Sequence, residues 1–183
     1  EVIVPAHTYM ATAIAVLAVG AIPVIVDVDE SITIDPSAVD EAAGPRTRAV
    51  IPVHMWGAVC NMGTIMEVAE RNDLYVVEDA CQCVGGSWDD APVGSIGDAA
   101  AVSFNYFKNM TCGEGGAVIT DDEDVAKRAG CMIDPCSFYW EGRDSSFTPF
   151  VNPGARLSEI QGAMLNVQLD RLPGLIESLR ENK

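Results

Sequence analysis

Short, unbroken apolar runs separated by helix-length stretches restrict the fold of this chain more than any other feature. Val2 to Pro5, Ile22 to Val26, Arg48 to Val53, Leu74 to Val77, Ala99 to Phe104 and Gly116 to Thr120 each read as a strand rich in β-branched residues. A sheet with one wet face would alternate apolar and polar positions along its strands, and these runs do not. Between them, Thr8 to Val19 reads as an apolar helix stopped by Gly20. Asp35-Pro36 pairs a helix N-cap with proline in the first turn, and Met62, Ile65, Met66 and Ala69 recur at helical spacing. The alternation predicts an α/β domain, a mostly parallel sheet with helices on both faces. Gly85 to Gly97 is rich in Gly, Asp and Ser and reads as a long loop, and Cys136 to Pro153 as irregular. From about Ser158 a long amphipathic helix is expected, with Ile160, Met164, Val167, Leu172, Leu175 and Leu179 facing inward and Pro173 bending it.

Charge narrows the partners. With 11 Lys+Arg against 27 Asp+Glu in 183 residues, the net charge is −16. Attraction to nucleic-acid phosphates or an anionic membrane needs clustered basic residues, so neither is an expected partner. The most apolar stretch, Met10 to Val26, is interrupted by Thr12, Gly20 and Pro23 and falls short of a membrane span. There is no basic segment followed by a small-residue cleavage site, as secretion would require. The 6 cysteines form no C-x-x-C pair and, with His7 and His54 the only histidines, no metal site is expected; they read as buried thiols in a reducing cytoplasm. The chain opens on Glu1 at the start of a strand, which reads as a piece of a longer protein.

In such sheets ligands bind beyond the carboxyl ends of the strands. Asp79 follows one apolar strand, Ser103 ends the next, and Lys108 comes shortly after, just before Gly113-Glu114-Gly115-Gly116. Of the three lysines, Lys127 sits in a charged helix and Lys183 is terminal, so Lys108 alone lies between a buried strand and a glycine loop. A partly desolvated amine there suits Schiff-base chemistry, although a snorkelling surface lysine fits the same context. Asp79 alone fits a helix-capping carboxylate equally well. Together, an acid and an amine at neighbouring strand ends match pyridoxal phosphate, which needs an amine for its aldehyde and a carboxylate for its pyridine nitrogen. A nucleotide-binding domain would need a G-x-G-x-x-G or Walker turn after a strand; the first strand leads instead into Ala6-His7-Thr8-Tyr9.

Seven ordered motifs carry a family resemblance: Val2–Thr12, Ile51-Pro-Val-His-Met-Trp-Gly57, Val77-Glu-Asp-Ala-Cys-Gln82, Gly94-Ser-Ile-Gly-Asp98, Val102-Ser-Phe104 with Lys108-Asn-Met-Thr111, Gly113-Glu-Gly-Gly116, and Arg156-Leu-Ser-Glu-Ile-Gln161. The chain resembles the sugar aminotransferases of the DegT/DnrJ/EryC1/StrS type, fold-type I pyridoxal phosphate enzymes. The resemblance implies that Lys108 forms the internal aldimine and moves the proton at the substrate carbon, and that Asp79 pairs with the pyridinium nitrogen. It further implies Gln82 at the ring, Ser103 donating to the phosphate and Tyr9 stacking on the cofactor face. His7 and His54 lie near the presumed pocket mouth and read as structural. Lysine at 108, where a sugar-dehydratase branch carries histidine, implies transamination.

The implied reaction moves an amino group from glutamate or glutamine to a keto sugar, often nucleotide-linked, or a keto cyclitol, in a cytoplasmic homodimer. Trp88, Tyr139, Trp140 and Arg143 are candidates for shaping the acceptor site. A catalytically silent member with a regulatory or scaffold role is the alternative. Where the family has Asn-x-Arg-Leu before the long helix, this chain has Gly154-Ala-Arg-Leu157, which leaves Asn152 as the candidate for the phosphate contact of the partner subunit. Residues 1–183 are thus expected to be the cofactor-binding large domain with six of its seven strands, lacking the N-terminal phosphate loop and the C-terminal small domain.

Overall fold

The computed structural model of the chain describes residues 1–134, 148, 150, 152 and 154–182. Its frame is a six-stranded sheet of β1 (Val2–Pro5), β2 (Pro23–Val26), β3 (Ala49–Val50), β4 (Tyr75–Asp79), β7 (Ala99–Ser103) and β8 (Gly116–Ile119), in the order β2-β1-β3-β4-β7-β8. The first five are parallel and β8 joins β7 antiparallel. The mostly parallel sheet expected from the apolar runs is therefore present.

Two strand boundaries differ from the sequence reading, each for a local reason. The Arg48–Val53 run pairs regularly only over Ala49–Val50, because Pro52 has no N–H to give and the ladder resumes as a single Val53–Asp79 bridge. The fourth strand runs on to Asp79, placing the acid inside the strand's last turn of pairing. The segment read as a loop holds a two-residue hairpin, β5 (Ser87–Trp88) and β6 (Ala91–Pro92), turned by Asp89 and Asp90, whose φ values of 47° and 66° are those of a type I′ turn.

Helices α1 (Ala11–Ala18), α2 (Pro36–Ala42), α3 (Met62–Asn72), α4 (Glu123–Ile133) and α5 (Glu159–Glu181) flank the sheet. Side-chain caps start four of them: Asp35 accepts from Ser37 N–H, Asn61 from Thr64 N–H, Asp122 from Asp124 and Val125 N–H, and Ser158 from Gln161 N–H in a reciprocal capping box. The core lies between the sheet and α2–α3, where Ile3, Ile34, Val39, Val50, Met62, Ile65 and Val76 are fully or almost fully buried. Burial of each contributes about 1.5–3 kcal/mol.

Helix α5 departs from expectation. The inward stripe predicted for it is rotated: Ile160 is 75% exposed and Val167 60%, while Gln161, Leu165, Gln168, Leu172 and Ile176 are the half-buried positions. Of the predicted inward residues only Leu172 is half-buried, with Leu179 at the cleft, because the helix rests on the chain largely through the next row round its surface. Pro173 lies within the helix. None of the helices, among the described residues, is long and apolar enough to cross a membrane.

Candidate active site

Period-two alternation along β4 sends Glu78 and Asp79 to opposite faces of the sheet. Asp79, half-buried, is held at both oxygens: Thr12 of α1 donates its hydroxyl to Oδ2 at 2.8 Å, and the Cys81 N–H donates to Oδ1 at 3.2 Å. Thr12 is itself in a 2.8 Å hydroxyl pair with Thr8. The first turn of α1 thus lies over the end of β4, an arrangement that needs the parallel sheet to bring both strand ends to one edge.

Lys108 reaches the same neighbourhood from β7. Its backbone is fixed by an N–H bond to Asn105 O at 2.9 Å in the turn after that strand. Both charges act on one thiol: burial first, then the negative charge of Asp79 and its hydrogen bond, push Cys81 up to about 12, and the Lys108 cation pulls against them. Cys81, Gln82 and Lys108 line one cleft of about 650 Å³, with Trp56 on one side and Leu179 and Arg180 of α5 on another. Gln82 donates from Nε2 to Met55 Sδ at 3.4 Å.

The remaining predicted residues are placed differently. Ser103 ends β7, where its Oγ accepts from Asn105 N–H at 3.3 Å, and it does not line the cleft. Tyr9 is 73% exposed in the turn before α1. Asn152 is engaged locally, donating to Cys131 O at 2.8 Å and Phe150 O at 3.1 Å and accepting from Gly154 N–H at 2.8 Å. His7 meets the Trp56 ring edge-on at 5.2 Å and donates from Nδ1 to Ile32 O. His54 is no mouth residue, because it is completely buried. Tyr139, Trp140 and Arg143 lie outside the described residues, and Trp88 sits in β5 against the main core.

Sequence reasoning passed over Thr12, the one polar residue in the apolar helix ATAIAVLA, and Glu78, a carboxylate in a strand of valines. For Thr12 the signal was a lone polar residue in an apolar element, and for Glu78 a carboxylate directly before Asp79 at the end of an apolar strand. An acid held by Thr12 and an amine in the turn after the adjacent strand fit a ligand with a ring nitrogen and an aldehyde.

A mostly parallel α/β sheet in the order β2-β1-β3-β4-β7-β8, closed by one antiparallel strand, is the fold of a fold-type I, pyridoxal-phosphate-type domain. The chain belongs to the DegT/DnrJ/EryC1/StrS aminotransferase family, which it matches over residues 1–183. It is 40% identical over 177 residues to the GDP-perosamine synthase of Caulobacter vibrioides, covering 94% of this chain and 46% of that protein. Identity to the dTDP-3-amino-3,4,6-trideoxy-alpha-D-glucose transaminase of Streptomyces venezuelae is 40% over 174 residues, covering 94% and 45%. Among solved structures, DesI in the presence of its TDP-sugar product superposes with a TM-score of 0.88 at 37% identity, covering 100% of this chain and 45% of that one. DesV of S. venezuelae, in complex with a ketimine intermediate, gives 0.84 at 40% identity, covering 95% and 46%. The chain spans about half the length of the relatives it matches.

Proposed function

We propose that this chain is the cofactor-binding part of a pyridoxal-phosphate-dependent aminotransferase that carries an amino group from glutamate or glutamine to a keto sugar, often nucleotide-linked, or a keto cyclitol. The observation that carries the reading is Asp79 at the end of β4, held by Thr12 and the Cys81 N–H, with Cys81, Gln82 and Lys108 lining one cleft, in a chain whose relatives are named as sugar and cyclitol aminotransferases. When bound, the cofactor supplies an aldehyde for an amine and a ring that takes up the electron pair left at the substrate carbon. Asp79, its oxygens oriented by Thr12 and the Cys81 N–H, holds the proton on the ring nitrogen. Lys108 would hold the cofactor through Nζ at its aldehyde and would carry the proton at the substrate carbon. Ser103 donates its hydroxyl to the phosphate, Gln82 walls the ring, and the Tyr9 ring covers its face. Asn152 serves the phosphate of the partner's site in a homodimer. The protein works in the cytoplasm, and the described chain is the large domain of a longer enzyme.

The test is borohydride reduction of the full protein loaded with pyridoxal phosphate, followed by peptide mapping. Label on Lys108 is expected. Label on Lys127, or none, would refute the assignment, and absence of label would favour a catalytically silent member.

A further inference from the structure

Glu78 is completely buried and so is His54, and the two side chains meet at 3.0 Å between Glu78 Oε2 and His54 Nε2. The Cys60 N–H donates to His54 Nδ1 at 3.2 Å, so the hydrogen given to Glu78 sits on Nε2. Three backbone N–H groups complete the shell around the carboxylate. Gly94 donates to Oε2, and Ile96 and Gly97 donate to Oε1, all at 2.8 Å. A buried carboxylate so fully engaged is an expensive way to gain stability, since a well-packed apolar residue often serves as well. Its connections point to another use.

Those connections run to the strand ends that carry the site. The backbone of His54 donates to Asp79 O at 3.1 Å, and the Asp79 N–H donates to Pro52 O at 2.8 Å. One residue therefore grips Glu78 by its ring and Asp79 by its main chain. On the other side, the segment Gly94–Gly97 that grips Glu78 leads straight into β7, which ends at Ser103 before the Lys108 turn. Asp98 locks that entry, accepting from Val76 N–H at 2.7 Å and donating its own N–H to Val76 O at 2.9 Å. The close approach requires glycine: a Cβ on Gly97 would come within 2.6 Å of Val76 O. Three of the seven sequence motifs meet at this one carboxylate.

We propose that Glu78 and His54 are positioning residues, a buried pair that sets the register of the β4 end bearing Asp79 against the β7 strand leading to Lys108. The proposal rests on the reading that Asp79 and Lys108 hold one cofactor. It differs from a packing role in depending on one hydrogen bond, His54 Nε2–H to Glu78.

Variants of the full protein separate that bond from bulk. His54→Asn keeps an acceptor for the Cys60 N–H but cannot reach Glu78. His54→Gln keeps a donor at Glu78 but loses the Cys60 acceptor. Glu78→Gln keeps the volume and turns one acceptor into a donor facing other donors. His54→Asn and Glu78→Gln are expected to weaken pyridoxal phosphate binding, read by absorbance titration, by about 10–100-fold, the range for partners that orient a ligating group. His54→Gln is expected to recover most of the affinity lost in His54→Asn. In the cofactor-free protein, amide hydrogen exchange should quicken at residues 79–82 and 94–98 in the two weakened variants, with the rest of the sheet unchanged.

Wild-type affinity and exchange in His54→Asn would overturn the proposal. So would equal losses in His54→Asn and His54→Gln spread over the whole sheet, the outcome of a packing role. If Lys108→Ala leaves cofactor binding and borohydride labelling intact, the functional reading fails and the proposal with it. If Lys108 carries the label in wild type while Glu78→Gln binds normally, only the proposal falls.

Discussion

Glu78 and Asp79 are neighbours in sequence with opposite fates, and the difference lies in what surrounds each carboxylate. Burial drives Glu78 up, but the His54 ring and the N–H groups of Gly97, Gly94 and Ile96 outweigh it and hold the carboxyl at about 2, below its ordinary 4.5. A carboxylate held lower in the fold than in the unfolded chain adds stability that is complete above pH 4.5 and is lost as pH falls toward 2. The urea midpoint of the full protein should therefore fall as the pH drops through this window, and Glu78→Gln should flatten that part of the profile. A variant with the wild-type acid slope would assign it to other carboxylates. Asp79 is held instead by Thr12 and the Cys81 N–H, and the proposed function gives it the cofactor's ring nitrogen. Asp79→Asn should keep borohydride labelling at Lys108 but lower turnover roughly 10²–10⁴-fold, since a neutral amide cannot hold the ring proton. Unchanged turnover would remove the role given to the acid. Both residues could be read as candidates from the chain, because a carboxylate at an apolar strand end stands out. Which of them is buried could not, because a one-residue change of register inverts the faces.

At the scale of elements, the connection between β4 and β7 does most to place the site. Gly94 has φ +94°, a conformation that glycine adopts without strain, and Gly97 lies against Val76 O. Gly97→Ala should force the backbone of this segment away from β4 and cost about 1–3 kcal/mol, the range for overpacking, seen as a lower thermal midpoint with weaker cofactor binding. An alanine variant with wild-type midpoint would show that the segment gives way freely. The same connection explains the missed hairpin. Its Ser87–Trp88 and Ala91–Pro92 arms are too short for an alternating pattern, and the Asp89-Asp90 turn is a weak form of the Asn-Gly signal. For α5 the period of the apolar residues and a start near Ser158 were legible, yet the buried face was not. A helix with apolar residues on more than one row can seat itself on either, and contact with the sheet decides.

Over the whole molecule, the covered and uncovered apolar surfaces differ sharply. The α2–α3 side of the sheet is closed, whereas α1 leaves Ile14 at 50% and Leu17 at 59% exposure and α5 leaves Ile160, Met164 and Val167 outward. Faces of this kind mark surfaces that meet further protein. The homodimer in the proposed function accounts for one such meeting: sedimentation of the full protein at micromolar concentration should give twice the chain mass. A single-chain mass would remove the dimer from the reading.

The six strands of the main sheet, the parallel habit and the capped start of α2 at Asp35 were written in local patterns, because apolar period and capping chemistry depend on neighbours within a few positions. Thr12 on Asp79, the His54 grip on Glu78 and the seat of α5 were not. Each joins segments between about 20 and 70 residues apart in the chain; such contacts exist only once the sheet has set its strand order and brought those ends to one edge.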